Sequence, residues 1–550
     1  MRKRSSRLWD SCTRQLGLET KLEKRWFIAA FILLFVYLWI CQFLRSALVH
    51  SIEPNIACSV LFAAIPVLPV CVFGVFLFRK LRIVSISSTP PRSLSRKLFP
   101  VMVFILTFGY LLLWLIAYYP GGFAHDCINQ YSQVVSGSYN NWHPVLHTWL
   151  FFWLPYQLFH CPAGIVLFQI LLFSLVVWYL YHVLCRRNCP MWFLIASWLF
   201  LILNPQTAKI MMFPWKDSAL SIVTLLVFTY IVEIYETQGE WLEKWYHFLA
   251  FTAVCFLTTV FRHNAILLTA PIYVILLVFQ KRQRKVILLS CLLVLFSVWF
   301  LNGPVMSLAH VAAPRNRQTE TLGLPMTILS GVYMNERESL SESAVRFLDS
   351  IATQEEWNTY FRLGNFNMLK FNVQKSVAYS IESEGAKNIL GYTIQAFRSC
   401  PFWSLQAFAS LTQIVWNPVA YPGWQVAPPY CSDNSIGLTM QPNTLLSQAL
   451  ICFSDSTESL FLIYFTRLVG MMILILMFAA VTNVGRGRLG RAFMIFPMLI
   501  YDFGTMLLLT GPDFRFFHFN FVIIIPLLYL ILSDQAPKKS SLEVTNEKQV

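Results

Sequence analysis

Charge is scarce in this sequence. Only 13% of its 550 residues are charged, where a soluble domain holds about a quarter. With 57% of residues hydrophobic as well, the composition excludes the soluble enzyme and secreted-module classes. Zinc spacing is missing too: 13 cysteines are scattered with no C-x-x-C pair, and Cys185 and Cys189, separated by three residues, have no second pair. No metal site is expected. Most of the cysteines read as small apolar fillers, while Cys127, Cys161, Cys400 and Cys431 fall in segments where pairing is open. Sequence repeats and low-complexity tracts are absent. The N-terminus opens on charge rather than a short cleavable apolar core, so the first apolar run is expected to remain as an anchor.

What the chain does have is long apolar runs. Segments 27–44, 56–78, 98–119 and 286–301 carry no charge and approach or exceed the ~20 residues that cross a bilayer as helix. The net charge of +15 sits in short clusters at the ends of such runs, including Lys24–Arg25, Arg186–Arg187, 281–285 and Arg486–Gly487–Arg488. That is the positive-inside distribution of a membrane protein rather than a nucleic-acid-binding surface. Segment 120–142 contains no Lys or Arg, as an outside loop should.

The expected architecture is an all-α, polytopic membrane helix bundle. Its 12 spans lie near 26–46, 56–78, 98–119, 162–184, 191–204, 217–235, 247–261, 264–280, 286–304, 458–482, 492–510 and 516–533. Both termini are placed in the cytoplasm, and the location is the plasma membrane. The domains follow: a cytoplasmic segment 1–25; two spans and a basic loop over 26–97; a membrane core 98–304 with an outer loop 120–161; an extracytoplasmic helical insert 305–457; three spans over 458–533; and a cytoplasmic tail 534–550, expected to be disordered. Counting 143–160 as a span would put later basic clusters outside, so it is read as an interfacial helix, with Trp142, Trp149 and Trp153 at headgroup depth. Within the insert, Ser339-Leu-Ser-Glu342 and Thr353-Gln-Glu-Glu356 both fit a helix capping box. The aromatic stretch 396–416 is expected to lie on the bilayer.

Four outer loops carry the residues suited to chemistry. The first contains Gly122-Phe-Ala-His-Asp126, Gln130 and Asn141-Trp-His-Pro144. A lone carboxylate in apolar surroundings, its pKa raised toward neutrality, suits a general base. The plainer reading makes Asp126 a helix cap. The second loop, Trp215-Lys-Asp217, sets Lys216 at a helix start, where it can hold a phosphate oxygen or simply snorkel. The third, Phe261-Arg-His-Asn264, places Arg262 and His263 where positive charge is disfavoured, suited to a phosphate clamp or to outer-leaflet headgroups. The fourth, Pro512-Asp-Phe-Arg515 with His518, joins an acid and a guanidinium that otherwise make a weak local ion pair. Two further charges, Arg467 and Asp502, fall inside spans and are expected to pair and brace the bundle.

In the order and sidedness of these motifs the chain resembles the GT-C superfamily of polytopic glycosyltransferases, and more narrowly an uncharacterised bacterial family within it. The resemblance spans 98–533 and rests on Gly122-Phe-Ala-His-Asp126, Asn141-Trp-His-Pro144, Trp215-Lys-Asp217, Phe261-Arg-His-Asn264 and Pro512-Asp-Phe-Arg515. It implies sugar transfer from a polyprenyl-phosphate donor to an acceptor on the extracytoplasmic face. Asp126 would be the base, and Lys216, Arg262, His263 and Arg515 would bind the donor phosphate. His125, Gln130, Trp142, His143, Asp217, Asn264 and Asp513 would line the substrate pocket. A single base with no second carboxylate nucleophile suggests inversion at the sugar carbon. No cofactor is expected, a divalent cation is left open, and the acceptor can be glycan, lipid or protein. A transporter or flippase of a lipid-linked saccharide is the alternative, favoured by Arg467 and Asp502. A non-catalytic envelope scaffold is a third reading, which leaves the four loops unexplained.

Overall fold

The computed structural model describes residues 21–48, 56–81, 83, 94–314, 317–419, 426–458, 463–484 and 488–533. Most of the N-terminal segment, much of the loop before residue 94 and the expected tail 534–550 lie outside them. Of the described residues, 79% are helical. Among the described residues the paired strands are one short antiparallel ladder, Tyr118–Tyr119 against Gln441–Pro442.

Among the described residues, seven helices are long and apolar enough to cross a membrane: Leu22–Leu48, Cys58–Arg79, Leu94–Ala117, Pro162–Arg186, Lys216–Glu236, Lys281–Leu308 and Phe514–Leu532. An eighth span results if Met191–Ile202 and Pro205–Met212, bent by 53°, are counted together. The bend is local in origin. Asn204 caps the second helix by accepting from Gln206 N–H at 3.0 Å, and Pro205 occupies its first position. The other expected spans fall on helices too short to cross alone, Trp245–Val260, Ile266–Phe279, Val469–Val484 and Phe496–Met506. The protein is a multi-span membrane protein whose bundle mixes full-length and broken helices.

Burial separates centre from periphery. Lys216–Glu236 and Phe514–Leu532 are 89% and 83% buried, whereas Leu22–Leu48, Cys58–Arg79 and Lys281–Leu308 are at most 28% buried. The peripheral helices turn side chains such as Leu61, Phe73, Leu292 and Trp299 outward, the surface a lipid solvent requires. The central Lys216–Glu236 helix, 21 residues and ~30 Å long, gives the bundle two ends. At its C-terminal end Glu233 pairs with Arg187 and, at 3.8 Å, with Arg186; Glu236 pairs with Arg491 at 2.9 Å. Basic clusters that the sequence assigns to one side thus gather at that end. Lys216 and Asp217 stand at the other.

The stretch 305–457 is not a single unit outside the bundle. Its earlier part has a core of its own, built on Met326, Leu329, Phe347, Leu348, Ile351, Trp357 and Ile389. Thr353 and Glu356 close the expected capping box, but the preceding helix is capped by Ser341, not Ser339, whose hydroxyl donates instead to Glu336 at 2.9 Å. The next helix, Pro401–Trp416, does not lie flat on the surface of the bundle. It inserts among the membrane helices, where the Tyr37 hydroxyl donates to Trp416 C=O at 3.2 Å. A Cβ on Gly470 would meet the Asn417 backbone at 2.7 Å, so the two segments are packed backbone to backbone. The apolar faces of 401–416 are buried against helices instead of lipid.

The expected Arg467–Asp502 pair is not formed. Asp502 accepts from Asn520 Nδ2 at 3.0 Å, and among the described residues no ion pair joins it to Arg467. Arg467 lies between the short helix Ile463–Thr466 and Val469–Val484 rather than inside one continuous helix. Cys127, Cys161, Cys400 and Cys431 are all free thiols.

Candidate functional site

The loop after helix Leu94–Ala117 is placed by backbone pairing. Gly122 N–H donates to Met212 C=O at 3.0 Å, and Phe123 exchanges hydrogen bonds with Tyr430 and Ser432 at 2.8 and 2.9 Å. Gly122 has to be a glycine here, because a Cβ would lie 2.5 Å from the Phe213 ring. The chain then enters helix His125–Ser136, whose second residue is Asp126. Residues 145–159 form a continuous helical stretch with a π turn at Trp149–Trp153. That stretch is not among the candidate spans. Gln130 anchors it, accepting from Thr148 at 3.1 Å and bonding His147 Nδ1 at 2.8 Å.

On the far side of the chain, Asp513 caps the short turn Phe514–Phe517 by accepting from Arg515 N–H at 3.1 Å. The turn aims the Arg515 guanidinium at three carboxylates. Nη1 reaches Asp126 at 3.0 Å, Nε reaches Asp513 at 2.8 Å, and Nε lies 3.8 Å from Asp217. Asp217, buried beneath, is also paired with Arg262. Both guanidinium groups stack on Phe516, at 4.4 Å for Arg262 and 5.1 Å for Arg515, and Arg515 covers Trp215 at 4.9 Å. Lys216 makes no ion pair among the described residues; its Nζ lies 3.4 Å from His143 Nδ1.

These side chains surround one cavity of about 520 Å³, within the range of small-ligand sites. Of the residues the sequence singled out, Asp126, Trp142, His143, Lys216, Arg262, His263, Asn264, Asp513 and Arg515 line it. His125, Gln130 and Asp217 do not. His125 is exposed at the helix start, Gln130 is 1% exposed and braces the 145–159 stretch, and Asp217 lies under the cations. His518 turns inward, between Ser221 and Thr207 at 3.0 and 3.1 Å.

The electrostatics differ from those expected of a lone acid. Burial is the largest single influence and by itself would raise the Asp126 pKa, but the Arg515 guanidinium, His143 and the Lys216 ammonium together outweigh it and hold the carboxyl well below the usual range. Burial raises Asp513, against the pull of Arg515. His143 is pushed down to about 3 by burial and by the Lys216 ammonium, so it is neutral at physiological pH. With Lys216 donating to its Nδ1, its Nε2 carries the proton and faces Asp126 Oδ1 at 3.9 Å. The ligand-free site is therefore a balanced set: three cations against three carboxylates, with a neutral imidazole between them.

Sequence reasoning missed the opposite wall. Glu320, Thr321, Asn367, Lys370 and Phe371 also line the cavity, and all come from the region with the separate core. They are joined to the Arg515 loop by Asn367 N–H, which donates to Thr510 C=O at 3.2 Å. Nothing in their local sequence sets them apart; an Asn-x-x-Lys-Phe run in an amphipathic stretch carries no motif. Compared with known proteins, the chain matches no family model, no curated protein and no solved structure.

Proposed function

We propose that this protein is a membrane glycosyltransferase, using a polyprenyl-phosphate sugar as donor and working on the extracytoplasmic side of the plasma membrane with both termini cytoplasmic. The observation that carries the reading is one cavity in which Asp126 stands beside Lys216, Arg262 and Arg515. Its position at the end of the bundle away from Arg187 and Arg491 supports the sidedness. A GT-C-like bundle of 12 spans, four of them short and one bent, is the architecture that goes with it.

In this scheme the donor phosphate enters against Lys216, at the N-terminus of a 21-residue helix, and against Arg262 and Arg515. Leu508 and Leu509 on the cavity wall offer the apolar side for the lipid chain. Phosphate competes with Asp126 for Arg515. As the guanidinium turns to the phosphate, the carboxylate loses its counter-charge and its basicity rises toward what a general base needs. Asp126 then takes the acceptor O–H proton, and the oxygen attacks the sugar C1. The C1–O bond to phosphate breaks, its electron pair leaving with polyprenyl phosphate into the cationic cluster. A single step of this kind inverts C1. No resident cofactor is required, and a divalent cation would find its phosphate ligands on the donor itself.

Transport of a lipid-linked saccharide is the second reading. It is favoured by the buried polar set Asp502, Asn520 and His518, which lies within the bundle. The two part on chemistry. Purified protein reconstituted with a polyprenyl-phosphate sugar should release free polyprenyl phosphate under the transferase reading. Movement of intact donor across the bilayer with no release would reject it.

A further inference from the structure

The cavity has two unlike walls. Every cation available to a phosphate is on the membrane-bundle wall. On the other wall Lys370 and Glu320 cancel one another in an ion pair of 2.9 Å. Lys370 is almost wholly enclosed, its side chain 8% exposed, so the pair is a built feature rather than two loose surface charges. Beside it the Phe371 ring is 72% exposed at the cavity, with the Lys370 ammonium 4.4 Å from its centroid. Asn367 and Thr321 complete the wall.

An open aromatic face next to carboxylate, amide and hydroxyl groups, with no net charge, suits a neutral polyhydroxylated ligand. The ring packs on the C–H face of a sugar, and the polar groups take its hydroxyls. An anionic polymer would meet no surplus positive charge there. A lipid tail would strand the Glu320–Lys370 pair without water. We infer that the wall formed by Glu320, Asn367, Lys370 and Phe371 is a saccharide-binding subsite, which delivers a neutral sugar hydroxyl to Asp126 as acceptor. Its assignment to the acceptor rests on the transferase reading; the sugar binding itself does not. The opposed placement has a plain consequence: donor phosphate and acceptor reach the carboxylate from different sides.

Saturation-transfer NMR on the purified full-length chain tests it, with methyl glycosides of glucose, galactose, mannose and N-acetylglucosamine as probes. At least one glycoside should show transfer to its ring C–H protons. Phe371→Ala and Glu320→Gln should each cut that signal by about 3- to 10-fold, the size of one stacking or polar contact. Phe371 is exposed, so its loss leaves folding intact; Glu320→Gln keeps the shape but removes the carboxylate paired with Lys370, so its melting curve is compared with wild type. No transfer from any of the four, or equal transfer in wild type and both variants, overturns the subsite. If glycosides bind as described and the wild type releases no polyprenyl phosphate from a donor, the transferase reading fails while the sugar site stands.

Discussion

Arg515 donates to Asp126 at 3.0 Å although 389 positions separate the two in the chain. The pair defines the resting state of the site. It keeps the acid ionised, and in the proposed transfer reaction the same contact would withhold the base until donor phosphate takes up the guanidinium.

Asp126→Asn removes the proton acceptor and leaves the cavity's shape. Polyprenyl phosphate release should fall by about 10²–10⁴-fold, the usual contribution of a general base. Donor affinity, measured on the same protein by equilibrium binding, should hold or rise, because the carboxylate that competes with phosphate for Arg515 is gone. Turnover retained within a few-fold of wild type would remove Asp126 from that role.

Arg515→Lys keeps the charge and should still lose most activity. One ammonium cannot reproduce the fork that meets Asp126 and Asp513 from two nitrogens. In Arg515→Gln the main influence lowering Asp126 is gone, leaving burial against only His143 and Lys216, so its carboxyl should protonate at higher pH than in wild type. Infrared difference spectroscopy against Asp126→Asn reads this directly as a carboxylic-acid band appearing at milder acidity.

His143 gives a pH dependence of definite sign. Its pKa is about 3 in the folded chain, against ~6.5 when unfolded. Between those values the unfolded state binds more protons, so this residue makes stability rise with pH across that window and fall as the medium is acidified. His143→Gln removes the term. Melting temperatures of variant and wild type, compared from neutral pH down toward pH 4, should show the variant losing less. Parallel curves would contradict the lowered value.

Gly323 lies against the loop that carries Asp513 and Arg515. A Cβ there would stand 2.4 Å from Leu509 C=O and 2.6 Å from Thr510 Cα, and backbone does not yield as a side-chain tip does. Gly323→Ala should destabilise by about 1–3 kcal/mol and move the loop, lowering both the melting temperature and donor turnover. By contrast Arg187→Ala, at the far end of the bundle, leaves the buried Glu233 carboxylate only the more distant Arg186. It should cost about 1–3 kcal/mol with turnover per folded molecule unchanged.

The membrane class and most helix positions were legible in the sequence because they are local properties: ~20 apolar residues need no distant partner to prefer a bilayer. The four motif loops were legible for a related reason. Charged and amide residues stand out where apolar runs end, and the charge asymmetry assigned them a common side before any of them was seen to touch. Span count was harder. Ile463–Thr466 and Val469–Val484 are separate helices and Phe496–Met506 has only 11 residues, lengths that apolar composition does not fix.

What only the tertiary structure decided is which charges meet. From sequence, Asp126 is a lone acid with a raised pKa; in the fold, the groups around it, Arg515 foremost, together reverse the shift. Asp502 takes Asn520 rather than Arg467, Pro401–Trp416 enters the bundle, and Glu320, Lys370 and Phe371 close the cavity. Electrostatic energies depend on separations of a few ångströms between residues hundreds of positions apart, and no local pattern records those. Hydropathy, summed along a single helix, is recorded in the residues themselves.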